Sequence, residues 1–220
     1  MVALSLPLAG RCLVQNSPAR RVPSHGTDAM ASTYAIDLVP VDAQGRSAVE
    51  RDWRTLLATE PPERFLGFGA SVLAPAAATV VHVHEGEPDH PARRSQLALV
   101  PYMLGQAGRL RQGVAALAGN HVILELMGGF GYVALVHLRR GSIRVDHGQV
   151  VRPGQQLAAC GNSGNSTEPH VHLQVMDGAD PTTASGVPMA FARFHEYYRG
   201  THRIVEAGLP TEGSIIETAR

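Results

Sequence analysis

The sequence predicts a mostly β fold, an antiparallel sheet or sandwich, with an insertion of loop and short helix at about residues 86–118. Runs in which apolar and polar residues alternate recur along the chain, and this pattern is typical of strands that bury one face. The chain also contains 23 glycines and 15 prolines, which suits many short strands joined by tight turns. We expect one β domain over residues 1–205 and a C-terminal tail over residues 206–220.

The predicted strands follow one another along the chain. They lie at residues 2–14, 34–39, 70–76, 79–84, 121–126, 132–138, 156–160, 170–175 and 189–198. We expect residues 70–76 and 79–84 to pair as a hairpin, because turn residues separate two strand-like runs. We expect the strand at 189–198 to close the domain.

The composition narrows the classes of partner. Nineteen basic and nineteen acidic residues give a formal net charge of zero, and 5% of the residues are aromatic. We therefore expect neither a polyanion-binding surface nor a base-stacking surface, and no nucleic-acid partner. Cys12 and Cys160 lie far apart and form no Cys-x-x-Cys pair, which argues against a thiolate zinc site. The eleven histidines make a metal or acid–base site worth testing.

The N-terminal stretch, residues 2–10, is apolar but short, and no basic residue precedes it. It is a poor signal peptide and too short to span a membrane, and no other segment reaches the length of a membrane-spanning helix. The sequence alone thus predicts a cytoplasmic protein without a membrane span. It leaves the oligomeric state open.

The stretch from residue 161 to 175 combines a Gly/Asn/Ser loop with a strand-like run. In a strand, residues i and i+2 point to the same face, so His170 and His172 are expected to project side by side. Two imidazoles on one strand can share a metal ion, or one can bind the ion while the other acts on its bound water. The preceding loop leaves room beside the pair for an extended ligand.

Two further features have to be considered as candidates for a metal site. Asp37 interrupts an otherwise apolar strand, and a carboxylate there is costly unless it is paired or bound to a metal. His82 and His84 form a second His-x-His, followed at once by the polar residues 85–91. We interpret this second pair as a solvent-facing side of a strand.

These motifs together resemble the lysostaphin/LytM-type zinc endopeptidases, a family with the duplicated-hybrid-motif fold that cleaves peptidoglycan cross-links. The resemblance runs from about Leu8 to Tyr198, and its motifs occur in the order and spacing of the family. They are Tyr-Ala-Ile-Asp-Leu at 34–38, Val-Leu-Ala-Pro-Ala at 72–76, Thr-Val-Val at 79–81, Gly-Asn-His-Val-Ile-Leu at 119–124, Val-His-Leu at 136–138, the turn region at 145–154, Gly-Asn-Ser-Gly-Asn-Ser at 161–166 and Pro-His-Val-His-Leu at 169–173.

The resemblance implies a role for individual residues. His172 and Asp37 resemble the zinc (Zn2+) ligands, and His170 and His137 resemble the two catalytic histidines. The sequence departs from the commonest family pattern at the first ligand, because Thr33 stands where that pattern has a histidine. His25, on a longer loop before the strand, is the ligand that we favour there. Two histidines and one carboxylate leave an open position on zinc, as in catalytic rather than structural sites.

The resemblance also implies a peptidoglycan peptide as the substrate. A groove lined by glycine and asparagine suits small or D-configured residues, and Asn120, Asn162 and Ser166 are candidate substrate-binding residues. The bond that is cleaved is not readable from the sequence. A wall substrate would place the protein in the cell envelope or outside the cell, in conflict with the lack of a signal peptide.

Three alternatives remain open at this point. The protein could be an inactive LytM-like regulator or wall-binding module, although it retains all five of the chemical residues implied by the resemblance. It could be an intracellular zinc hydrolase that acts on another peptide. It could also be a carbohydrate- or cofactor-binding β-barrel whose histidines are incidental. Zinc content and cleavage of peptidoglycan discriminate among them.

Overall fold

The computed structural model describes residues 2–95, 97 and 113–219. The strands within this part of the chain are β1 Val2–Leu4, β2 Cys12–Gln15, β3 Ile36–Pro40, β4 Ser71–Leu73, β5 Ala78–His84, β6 Asn120–Leu126, β7 Tyr132–Leu138, β8 Val150–Val151, β9 Gln156–Ala159, β10 Val171–Met176, β11 Met189–Tyr198, β12 Thr201–Gly208 and β13 Ile215–Thr218. The helices are short: α1 Trp53–Leu57, α2 Val114–Ala118 and two 3-10 helices, Ala29–Tyr34 and Pro62–Arg64.

One large sheet carries most of these strands, which confirms the prediction of a mostly β fold. Its strand order is β1-β11-β13-β2-β3-β10-β7-β6-β5-β8, and β12 pairs with β11 at one side. The pairs are antiparallel except that β1 runs parallel to β11. The strands β4 and β9 form a second, two-stranded sheet. Among the described residues, no helix is long and apolar enough to cross a membrane.

Two pairings differ from the expectation from sequence. The predicted hairpin of 70–76 with 79–84 does not form, because β4 pairs with β9 while β5 lies between β6 and β8. The C-terminal segment, expected to be a tail, contributes β13 between β11 and β2. Ile216 of β13 is fully buried opposite Cys12 of β2. Both pairings join segments far apart in sequence, and local alternation carries no information about such partners.

The two faces of the central strands differ in chemistry. On β10, Val171, Leu173 and Val175 are fully buried in the main hydrophobic core. His172 and Gln174 alternate with them and face the opposite side of the sheet. The core therefore fixes the plane of β10 and its neighbours, and the opposite face of the same strands is free to carry polar groups.

Two segments of the predicted insertion fall within the described residues. Residues 85–95 form an irregular strap in which Ala92 and Glu60 exchange two backbone hydrogen bonds. Asp89 of the strap accepts hydrogen bonds from the backbone N–H groups of Arg140 and Asn162. Helix α2 then leads into β6. The rest of the predicted insertion lies outside the described residues.

Candidate metal centre and its histidines

Three of the predicted site residues meet at one point. One possible ligand atom each from His25, Asp37 and His172 lies within 4.8 Å of the other two, and this is the only such group found among residues 2–95, 97 and 113–219. Asp37 Oδ2 lies 3.1 Å from His25 Nε2, and Asp37 Oδ1 lies 2.9 Å from His172 Nδ1. The carboxylate thus stands between two imidazoles.

The register of the sheet explains two of these positions. Asp37 of β3 lies directly opposite His172 of β10 in an antiparallel pair, so the two side chains project from the same face. His25 comes from the loop between β2 and β3. That loop is tied back at Ser24, whose N–H donates to the carbonyl of Thr33 at 3.0 Å and whose hydroxyl donates to the carbonyl of Ser32 at 3.2 Å.

The far nitrogen of each imidazole lies beside an oxygen. Ser24 Oγ lies 3.0 Å from His25 Nδ1, and Gln174 Oε1 lies 3.0 Å from His172 Nε2. The Gln174 amide is itself fixed, because its Nε2 donates to the carbonyl of Met30 at 2.7 Å. Contacts of this kind orient metal-binding histidines and direct the lone pair of the other nitrogen to the ion. The donor set, two imidazole nitrogens and a carboxylate, fits zinc with one position left open.

We expect Gln174→Leu to weaken zinc binding by about 10–100-fold, the usual effect of losing such an orienting contact. Leucine keeps the volume of this buried side chain but cannot accept from His172 Nε2. The measurement is a zinc titration of protein first stripped of metal by a chelator. Gln44→Leu, at an exposed turn, is the matched control. Equal affinities in both variants would show that Gln174 does not position His172.

The other two histidines, His137 and His170, lie beside this group. Their ring centroids are 4.8 Å apart, and the centroids of the His137 and His172 rings are 6.0 Å apart. His170 Nδ1 donates to the carbonyl of Glu168 at 2.8 Å, and His137 Nδ1 donates to the carbonyl of Ser163 at 2.9 Å. Each ring therefore has its Nδ1 proton held by a carbonyl, which leaves Nε2 as the atom that can accept or release a proton.

A β-bulge turns His137 toward this face. Between the pairs Asn120–Leu138 and Val122–Leu135, β6 advances by two residues and β7 by three. His137 is in the extra stretch and has a φ of 63°. A regular strand would point His137 away from the face that carries Val136, which lies directly opposite His172. The bulge overrides that alternation, as bulges beside functional sites commonly do.

The surroundings shift the pKa values of three of these groups. Burial alone would raise the pKa of Asp37, but the charges of His170 and His25 and the hydrogen bonds from the imidazoles hold it well below its usual value. Burial, reinforced by the nearby His170 and His172, lowers the pKa of His137 well below the usual value. Burial opposes the ionised form of His170, but Asp37 outweighs that effect and raises its pKa. The site thus holds two histidines whose pKa values move in opposite directions, an arrangement suited to proton transfer.

The three predicted substrate-binding residues are fully buried. Asn120 accepts from the N–H groups of Gly86 and Glu87 and donates to the carbonyl of Leu138. Asn162 donates to the carbonyl of His90 in the strap. Ser166 donates to the carbonyl of Glu168 and lies 3.0 Å from His170 Nδ1. Their side chains hold the loops around the histidines, and direct contact with a substrate stays a prediction.

Sequence reasoning did not single out three residues that contact the centre. Gln174 continues the alternation of His170 and His172 by one further step, so the same period-two pattern identifies it. Ser24 and Asn16 contact the centre from the loop after β2, where Asn16 donates to Asp37 Oδ2 at 2.7 Å. Nothing in the local sequence pattern distinguishes these two from ordinary turn residues.

A mostly β fold with two histidines and a carboxylate at one point, and two more histidines beside them, defines a candidate metallohydrolase. Residues 105–184, a little over a third of the chain, match the model of Peptidase family M23. The resemblance predicted from the sequence is therefore confirmed. The match includes His137, His170 and His172, whereas His25 and Asp37 precede it. The family match supports the conclusion that the protein is a peptidase, a hydrolase of peptide bonds.

Solved structures of peptidases are also similar to this chain. The catalytic domain of the antimicrobial peptidase lysostaphin from Staphylococcus simulans shares 18% identity, with 70% of this chain and 74% of that chain covered and a TM-score of 0.39. A mutant catalytic domain of the prophage-encoded M23 protein EnpA from Enterococcus faecalis shares 20% identity, with 64% and 80% covered and a TM-score of 0.36. A zinc-containing peptidase from Vibrio cholerae shares 18% identity, with 69% and 45% covered and a TM-score of 0.35.

Proposed function

We propose that the protein is a zinc-dependent endopeptidase that hydrolyses peptide bonds in peptidoglycan cross-links or stem peptides. The observation that carries this proposal is the meeting of His25, Asp37 and His172, with His137 and His170 directly beside them. The match to Peptidase family M23 supports the class of reaction.

The three grouped residues would hold the metal, and the other two histidines would move protons. Zinc at His25, Asp37 and His172 would supply Lewis acidity that polarises a carbonyl and lowers the pKa of a water to roughly 7. His137 and His170 each present Nε2, since Nδ1 of each donates to a carbonyl. One of them removes a proton from the attacking water, and the other donates to the oxygen on which negative charge develops.

Proton balance requires one further transfer. The new C–O bond forms from the water oxygen, the C–N bond of the peptide breaks, and the leaving amine must receive a proton. An imidazole that accepted the water proton can return it to the amine, because the same nitrogen serves as base and then as acid. The buried contacts of both Nδ1 atoms keep each ring in one orientation during these transfers.

The substrate class in this proposal follows from the resemblance to the lysostaphin/LytM-type endopeptidases. The loop at 161–166, rich in glycine and asparagine, suits a peptide with small or D-configured side chains. A wall peptide as substrate would imply that the protein works in the cell envelope or outside the cell. A regulator that binds metal without cleaving, and a hydrolase of another peptide, are the alternative outcomes of the test.

We expect His172→Ala to remove one equivalent of zinc per chain and to abolish release of products from purified peptidoglycan. The variant deletes a ligand and leaves Asp37 facing one imidazole fewer. Elemental analysis and product release, measured on the same preparations, check both parts. His195→Ala, on β11, is a control that removes a histidine outside the centre.

Each outcome of this experiment has a definite meaning. Zinc and cleavage lost together support the metal centre and the substrate class. Loss of one zinc equivalent in His172→Ala, with no cleavage of peptidoglycan by the wild type, supports the metal centre and transfers the function to the regulator or to a hydrolase of another peptide. A wild-type protein without zinc, even after metal is added back, would sink the proposal.

A further inference from the structure

Three other histidines form a second cluster. His82 and His84 lie on β5, and His121 lies on β6 directly opposite His84. The ring centroid of His121 is 5.2 Å from that of His82 and 5.3 Å from that of His84. The sequence predicts a solvent-facing strand side for His82 and His84; in the structure His82 is exposed and His84 is half-buried, whereas His121 is buried.

The cluster lies on the same face of the sheet as the metal centre. Gln174 of β10 lies opposite Ala134 of β7, Ala134 lies opposite Ile123 of β6, and Ile123 lies opposite His82 of β5. Directly opposed residues project from the same face, so one row crosses all four strands. With strands about 4.8 Å apart, the cluster is about 10–15 Å from β10. Metal ions that act as a pair lie about 4 Å apart, so this cluster is a separate site.

The hydrogen bonds of this cluster repeat those of the first centre. His121 Nδ1 donates to the carbonyl of Gly119 at 2.8 Å, which leaves Nε2 with a lone pair. His84 Nε2 lies 3.3 Å from Glu87 Oε1, which leaves the lone pair on Nδ1 of His84. A histidine whose one nitrogen is held by a carbonyl or a carboxylate presents the other nitrogen to a metal.

The ring separations also suit a shared ion. Two imidazoles on one tetrahedral zinc, with Zn–N near 2.0–2.1 Å, place their ring centroids about 5 Å apart. The His25 and His172 rings of the first centre are 4.8 Å apart by the same measure. The ligand atoms of the second cluster are not gathered within 4.8 Å as those of the first centre are. Rotation of His82, which is exposed, can bring its nitrogen toward the other two.

A cleft of about 390 Å³ gives access to the cluster. All three histidines line it, together with the carboxylate-bearing Asp180. We propose that His82, His84 and His121 form a second binding site for a divalent transition metal such as zinc. Imidazole is a ligand that suits zinc, copper and nickel.

The test is a titration with zinc alone, by isothermal calorimetry, of protein stripped of metal by a chelator. We expect two equivalents in the wild type, one in His82→Ala/His84→Ala, and one in His172→Ala. The matched control is His195→Ala/His202→Ala, which removes another neighbouring pair, with ring centroids 5.0 Å apart on β11 and β12. This control is expected to keep both equivalents.

The variants separate this proposal from the proposed function. One equivalent in His172→Ala supports the second site even if the protein cleaves no peptide. The proposal of a second site would be overturned if His82→Ala/His84→Ala bound as much zinc as the wild type. It would also be overturned if only the control His195→Ala/His202→Ala lost an equivalent. The single variant His82→Gln alters only an exposed ring and guards against misfolding. We expect it to weaken the second equivalent at least about tenfold, and unchanged affinity would also overturn the proposal.

Discussion

Replacement of His170 by alanine is expected to slow peptide hydrolysis by about 10²–10⁴-fold, the usual contribution of a positioned acid or base, while the protein keeps its zinc. His170 is outside the group of three ligand atoms, although its Nε2 lies 3.6 Å from Asp37 Oδ1. Its Nδ1 is held by the carbonyl of Glu168, so its Nε2 is the atom available for proton transfer. The measurement is hydrolysis together with zinc content, on one preparation.

The comparison with His172→Ala makes this result decisive. His170 immediately precedes β10 and His172 lies within it, so the two substitutions alter neighbouring positions of one segment. Retained zinc with lost hydrolysis assigns His170 to proton transfer. Loss of one zinc equivalent in His170→Ala, with the full wild-type zinc content in His172→Ala, would show that the roles of the two histidines are reversed. The exposed His202→Ala is expected to change neither quantity.

The local parts of the site were readable from the sequence. The alternation of residues 170–175 predicts that His170 and His172 share one face, and the structure places His172 in β10 and His170 immediately before it. The interruption of an apolar strand draws attention to Asp37, which lies opposite His172. Only the family resemblance points to His25, because a histidine on a loop has no periodicity of its own. The structure brings it within 3.1 Å of the carboxylate.

The non-local parts were not readable. The direction of His137 depends on a bulge that exists only because β7 pairs with β6 out of simple register. The pairing of β4 with β9 and the insertion of β13 between β11 and β2 join segments distant in sequence. Alternation reports which face a residue takes, whereas the identity of a neighbouring strand depends on the whole fold.

The largest effect on stability is expected from Glu60→Ala, which should lower the free energy of unfolding by about 3–5 kcal/mol, as when a buried ion pair loses one partner. The Glu60 carboxylate is fully buried, and Arg94 Nε donates to it at 2.7 Å. The side chain of Arg94 is 18% exposed, so its charge would remain largely buried without that carboxylate. Urea unfolding of both proteins at pH 7 measures the difference. Glu63→Ala, at an exposed position, is the control and should stay within about 0.5 kcal/mol of the wild type.

The same pair predicts a dependence on pH. The hydrogen bond from Arg94 lowers the pKa of Glu60 in the folded protein, against the opposing effect of burial. A carboxyl group with a lowered folded pKa stabilises the protein above its unfolded pKa of about 4.3, and this stabilisation is lost as the pH falls through the folded value. The difference between the wild type and Glu60→Ala should therefore be full at pH 7 and shrink below pH about 4. A difference that grows on acidification would contradict the ion pair. The backbone of Glu60 also pairs with Ala92 of the strap, and Asp89 of the strap accepts from the N–H group of Asn162, next to Ser163, so the strap links the surroundings of this ion pair to the loop that orients His137.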